Sequence, residues 1–278
     1  MIERIEATLN RLVAFSPGVP CIVDDAVCLQ NAAAALESSG EIPLLTELCM
    51  SLSVDLLENF PPQSDVTYAV LTLLACCCMR DENRDMAGRF GVFSLCVILL
   101  QSSELLPQKT LVAIFDLIAT LSMNSSNTRQ MMRPCVPYVL SVMKTHSDCL
   151  QLAFSGSVAV STLVMLDKAN AELAVENDCI QVLISAFMQG YIKKKELSRY
   201  RRASLSLRLQ REEEELKRLC DGVIRWTQDA LYKLVLSPLP IIDAKLEASK
   251  FGDYGTHVEV DELMWKLKFE RKKVNIPR

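Results

Sequence analysis

Eleven Cys and two His are the side chains of this 278-residue chain best suited to nucleophilic or metal chemistry. Cys76, Cys77 and Cys78 are consecutive inside an apolar helical pattern, so their thiols point in three directions and converge on nothing. No Cys-x-x-Cys pair occurs, and only His146 and His257 could complete a metal site, whereas a closed zinc site needs four converging ligands at suitable spacing. The thiols therefore read as small buried hydrophobes. Cys135 and Cys179 stand near helix starts, where a thiolate gains stabilisation, yet both occupy a small-residue turn of the repeat described below. Neither Lys144-Thr-His-Ser-Asp148 nor Gly255-Thr-His-Val258 has the spacing of a nucleophile or metal motif, and His146 reads as a loop residue. Gly-x-Gly and Gly-x-x-x-x-Gly-Lys phosphate loops are absent. The carboxylate run Glu212–Glu215 points around a helix circumference, giving a solvated face with Glu213–Lys217 and Glu214–Arg218 as i,i+4 pairs. The expectation is a chain with no catalytic residues, no metal and no cofactor: not an enzyme.

The elements that carry these residues read as helices. Half of the residues are hydrophobic, only 6% are aromatic and Gly numbers 9, so Leu, Ala, Val, Met and Cys form the apolar content. Helix-on-helix packing uses such residues, while strand-rich domains use aromatic and β-branched ones and need more turn glycines. The class is expected to be all-α. Net charge is −4 but unevenly spread. Residues 1–192 hold 10 Lys and Arg against 20 Asp and Glu, residues 193–218 hold 10 against 5, and residues 266–278 hold 6 against 1. An acidic body thus carries two basic segments near its end, and attraction to an acidic partner is expected to come from them. No apolar run reaches the roughly 20 residues of a membrane span. The N-terminus alternates charged with apolar residues, so no signal peptide is expected and an intracellular, cytoplasmic protein is.

One pattern recurs three times: an apolar helix, a polar break with Asn, then a second apolar helix. The first helices run Tyr68–Cys78, Val112–Ser122 and Gly156–Leu166. Ala69, Ala113 and Ser157 stand 44 residues apart, as do Val70, Ile114 and Val158, and Cys77, Leu121 and Met165. The breaks are Asp81-Glu-Asn-Arg84, Ser125-Ser-Asn-Thr128 and Lys168-Ala-Asn-Ala171; after them Gly91, Cys135 and Cys179, again 44 apart, each open a helix. Each unit is too small to bury its own apolar face, so stacking on neighbours must complete the core. The stretch Asn83–Leu100 resembles the short first helix, small-residue turn and second helix of the armadillo family, and Gly40–Leu48 is similar to the same turn in an earlier copy. The resemblance covers roughly residues 22–192, loosely extends to Leu236, and is shared in part by HEAT-type repeats. It implies a right-handed α-solenoid with an extended concave face. Peptide-binding armadillo proteins place an Asn, and a Trp one turn earlier, on the third helix of each repeat. Here those positions fall on Cys76, Thr120 and Val164, and on Thr72, Asp116 and Val160, so nuclear-import-receptor function is not expected.

Around the repeats, residues 2–15 are expected to form a capping helix, with Ile5, Leu9, Leu12 and Val13 on one side. Helices at 24–38 and 41–59 follow. Residues 193–219 form a long charged helix or an insertion, and Val223–Leu236 resumes an apolar helix. The expected domains are an armadillo-like repeat domain over 1–236 and a C-terminal extension over 237–278. That extension carries an amphipathic helix at 258–273, with Val260, Leu263, Met264 and Leu267 on its apolar face and Trp265 off it. Docking of this tail on a partner is favoured over folding back. The candidate partner-binding residues are Arg199, Tyr200, Arg201, Arg202, Leu263, Met264, Trp265, Leu267, Lys272 and Lys273. A scaffold or adaptor subunit of a larger intracellular assembly, cytoskeletal or ciliary, is expected, in stable complex with one or more proteins. An acidic protein surface such as tubulin fits the basic segments. The alternatives are a transient regulatory adaptor for a GTPase or kinase, and an RNA-associated helical-repeat protein, although the net charge disfavours nucleic acid.

Overall fold

A computed structural model describes residues 1–14, 22–123, 125–199, 207–237, 239, 242, 245–246 and 258–274. The protein is all-α, with no strand among the described residues. The chain divides into two compact units, residues 1–138 and 139–278.

The first unit contains α1 (Ile2–Ala14), α2 (Ile22–Ser39), α3 (Glu47–Asn59), α4 (Asp65–Cys77), α5 (Asp81–Arg89), α6 (Val92–Gln101), α7 (Gln108–Leu121) and α8 (Ser126–Met131), and ends inside α9 (Cys135–Thr145). Its centre is α4. Ser64 accepts the Thr67 N–H at the start of that helix, and Asp65 sits favourably in the first turn. The helix is apolar almost all round because α2 covers one flank and α7 the other. Tyr68, Thr72 and Cys76, one per turn, remain half-exposed. Lys109 on α7 reaches back 44 residues to Asp65, with Nζ 2.5 Å from the carboxylate and 5.2 Å from the Tyr68 ring centroid. α1 packs on α2 and α3 through Ile5, Leu9 and Leu12, whereas Val13, expected on the same side, is exposed.

α3 begins at Glu47, not at residue 41 as the apolar pattern suggests. Asn83 on α5 explains the difference. Its Oδ1 accepts the Leu45 N–H at 2.9 Å, and its Nδ2 donates to the carbonyls of Pro43 and Cys77 at 2.9 and 2.8 Å. Residues 41–46 are thereby held out of the helix, and Thr46 caps α3 by accepting the Cys49 N–H. The next residue, Arg84, is also buried, and donates to the Cys78 carbonyl at 2.9 Å. One short helix thus satisfies the carbonyls that end α4.

The same device recurs at the other short helices. In α8, Arg129 donates to the Ser122 carbonyl that ends α7. In α11, Asn170 donates to the Leu163 carbonyl of α10. Counting from the helix starts, Asn83, Thr128 and Asn170 are equivalent and all three are buried. Asn127, the expected counterpart, is exposed, because Ser125 is the cap of α8 and the helix starts one residue later than expected.

The second unit holds the rest of α9, then α10 (Leu150–Val164), α11 (Lys168–Glu176), α12 (Cys179–Arg199), α13 (Leu207–Leu236) and α14 (Val258–Val274). The charged segment expected at 193–219 is shared between the end of α12 and the start of α13, which run antiparallel. At Gly190 an added Cβ would meet Val223 Cγ1 at 3.0 Å and the Cys220 carbonyl at 3.3 Å, so this glycine sets the close approach of the two helices. Gly91 (φ 82°) and Asp178 (φ 59°) adopt left-handed backbone just before α6 and α12.

The 44-residue spacing is not uniform. Between α4 and α7 it holds: Tyr68, Thr72 and Cys76 correspond to Val112, Asp116 and Thr120. Between α7 and α10 it becomes 42. Half-exposed Val112 and Asp116 match Phe154 and Val158, and buried Leu121 matches Leu163 instead of Met165. The cause is loop length. Residues 102–107, including a 3₁₀ turn at Ser103–Leu105, join α6 to α7, while 146–149 suffice between α9 and α10.

Candidate functional site

Of the ten residues expected to meet a partner, Tyr200, Arg201 and Arg202 lie outside the described residues, and Arg199 is the last residue of α12. The six on α14 are placed on two opposite faces. Leu263, Met264 and Leu267 are buried within the second unit, where α14 packs against α13. This corrects the expectation that the tail's apolar face docks elsewhere: its own chain covers it. The fastening is polar as well as apolar. Arg271, one turn beyond Leu267, is buried and donates to the carbonyls of Val235, Ser237 and Leu239 at 3.2, 2.5 and 2.5 Å. A cation among carbonyls at a helix C-terminus satisfies acceptors that the helix itself cannot.

The outer face of α14 is different. Trp265 is 63% exposed and Phe269 47%, yet their rings stack on each other with centroids 5.4 Å apart and planes at 11°. Lys273 Nζ lies 4.6 Å from the Phe269 centroid and 2.7 Å from Glu270. Lys266 is 2.7 Å from Glu262, whose hydrogen bond holds the ammonium above its ordinary pKa. Lys268 and Lys272 are exposed, with no ion-pair partner among the described residues. Trp265, Lys268, Phe269 and Lys272 follow i, i+3, i+4, i+7 spacing and make one outward stripe. Phe269 and Arg271 were absent from the expected site. The i,i+4 relation of Phe269 to Trp265 signals the first, and the i,i+4 relation of Arg271 to Leu267 signals the second, although its place in a basic run disguises it.

One polar constellation was not foreseen from the sequence. On α10, Ser161 is buried and donates to Asp229 Oδ2 of α13, while Lys233 Nζ donates to Ser161 Oγ at 2.7 Å and lies 2.7 Å from Asp229. A serine nucleophile needs a neighbour able to accept its proton. Asp229 is such an acceptor, but the hydroxyl is shut from solvent, so the group ties α10 to α13. A cavity of about 480 Å³ also lies in the second unit, walled by Met143, Val175, Ile180 and Ala186, with the 2.7 Å Lys245–Asp178 ion pair on its lining.

Cys76, Cys77, Cys78, Cys135 and Cys179 sit in surroundings that oppose ionisation. Burial pushes Cys78 and Cys135 up to about 12, and Cys77 and Cys179 up as well. Burial, with Glu37 and Asp116 nearby, pushes half-buried Cys76 up to about 11. No three His, Cys, Asp or Glu gather as a metal-holding group among the described residues. His146 lies in the turn between α9 and α10, as expected; His257 lies outside the described residues. No described helix is long and apolar enough to cross a membrane.

No protein-family model matches the sequence, and a search of curated proteins finds no relative. Among solved structures, the chain is similar to the crystal structure of an engineered protein, a Northeast Structural Genomics Consortium target. The match has a TM-score of 0.62 at 13% identity and covers 96% of this chain and 97% of that one. At this identity the likeness is one of fold.

Proposed function

We propose that the chain is a non-enzymatic, protein-binding scaffold or adaptor, built as an armadillo-like right-handed α-solenoid. The repeated order of short helix, second helix and long helix supports the architecture, as does the shared use of the short helix to cap the preceding long one. The observation that carries the binding role is the exposed Trp265–Phe269 pair on a helix whose other face is fastened to α13. Exposed aromatic pairs on rigid elements are typical anchors of protein interfaces, since burying them gains area at little conformational cost. A place within a larger intracellular assembly, cytoskeletal or ciliary, is the setting that we propose for it.

The test is affinity capture from cell extract with the full chain and with Trp265→Ala/Phe269→Ala, washed at low and high salt. The variant removes only exposed rings, so its melting temperature should match the parent's. Proteins retained by the parent at high salt should be lost by the variant, because truncating an aromatic anchor costs about 2 kcal/mol or more, roughly 30-fold in affinity. Equal recovery by both chains would refute this surface as the docking site.

A further inference from the structure

We infer that the partner segment seated on α14 is acidic and carries at least one apolar side chain, and that it lies along the stripe Trp265, Lys268, Phe269, Lys272. The inference rests on the docking reading above and names the chemistry of its partner. Charge complementarity supports it. Residues 266–278 hold 6 Lys and Arg against 1 Glu, and Lys268 and Lys272, one turn apart on the outward stripe, lack ion-pair partners among the described residues. Lys266 and Lys273 are already engaged by Glu262 and Glu270, so among the described residues of this helix the two exposed lysines without an ion pair both lie on the stripe. The two rings supply a narrow apolar ridge alternating along the stripe with those lysines, a pattern that one apolar side chain beside carboxylates complements.

An anionic bilayer fits less well. An interfacial helix inserts a broad apolar face, and here Leu263, Met264 and Leu267 are turned inward, leaving two rings. A nucleic-acid strand fits less well too, since Arg271, the arginine of this helix, is buried on backbone carbonyls.

Trp265 is its own reporter once Trp226, the second tryptophan, is replaced by Phe. The full chain carrying Trp226→Phe is titrated with a short, aromatic-free peptide of glutamate and leucine, with anionic phospholipid vesicles, and with a single-stranded RNA oligomer. The expected result is a blue shift of Trp265 emission with the peptide, weakened by salt. Lys268→Glu/Lys272→Glu should weaken binding about tenfold or more without changing the melting temperature. An unmoved emission with the peptide, a stronger response to vesicles or RNA, or equal peptide binding by the charge-reversed chain would each overturn the inference. If those results appear while Trp265→Ala/Phe269→Ala still abolishes capture, the acidic partner is refuted and the docking surface stands. If capture is also unchanged, both fall.

Discussion

The carbonyls of Val235, Ser237 and Leu239 all accept hydrogen bonds from Arg271, a side chain whose charge suggests solvent although its i,i+4 spacing from Leu267 places it on the inward face. Removing it leaves buried acceptors unpaired, so Arg271→Ala should destabilise the second unit by about 2–4 kcal/mol in urea unfolding, and Arg271→Lys by less. In the first unit, Leu117 is fully buried on α7, and Leu117→Ala should cost about 3 kcal/mol by the same measurement. Cys76 makes a third prediction at this scale. Its thiol is raised to about 11, so the reactive thiolate is scarce at neutral pH and grows as pH rises toward that value. Maleimide labelling of the native chain, read by mass spectrometry of the Cys76 peptide, should be slow at pH 7 and accelerate steadily through pH 10. Fast labelling at pH 7 would contradict the burial and the flanking carboxylates. What was legible for these residues was their type and spacing. A buried Leu announces itself by periodicity, but an inward arginine depends on carbonyls more than thirty residues away, and a single helix's pattern does not contain them.

At the scale of elements, the helices were legible because apolar periodicity, caps and breaks agree with one another. Loop length was less so. Two residues fewer between α9 and α10 than between α6 and α7 turn the 44-residue spacing into 42, and apolar positions two apart on a helix are too alike to reveal the slip. The start of α3 was hidden for a related reason: Asn83 claims the Leu45 N–H from across the fold, overriding a local pattern that continues smoothly from residue 41. The α12–α13 hairpin is the element pair most sensitive to a small change. Gly190→Ala places a methyl group against the Cys220 carbonyl and Val223, so the helices must separate by a few tenths of an ångström. A loss of about 1–2 kcal/mol is expected in thermal or urea unfolding; an unchanged or raised stability would mean that the hairpin has slack there.

For the whole molecule, the division at residues 138/139 places the C-terminal helix in the same unit as α10, α12 and α13. Deleting residues 258–278 should therefore expose the α13 surface under Leu263, Met264 and Leu267. Amide hydrogen exchange in α13 should rise at least tenfold, whereas a tail that served only a partner would leave α13 protected. The sequence pattern showed that this helix has an apolar face. It did not show what covers the face, because amphipathicity is the same whether the cover is the chain itself or another molecule. Trp265 was the informative exception, lying off that face, and the ring pair that it forms with Phe269 is the exposed apolar part of the helix among the described residues.

Burial of the thiols also bears on how the chain reaches this state. In the folded protein Cys49, Cys77, Cys78, Cys96, Cys135, Cys179 and Cys220 are shielded, and none is paired. During synthesis or refolding the same sulfurs are exposed together, with three of them adjacent at 76–78, and an oxidant can join them before packing separates them. Any such crosslink forces thiols that belong in the core into positions the helices cannot accommodate. Refolding yield should therefore depend steeply on added reductant until α4 and its neighbours have packed, and hardly at all afterwards.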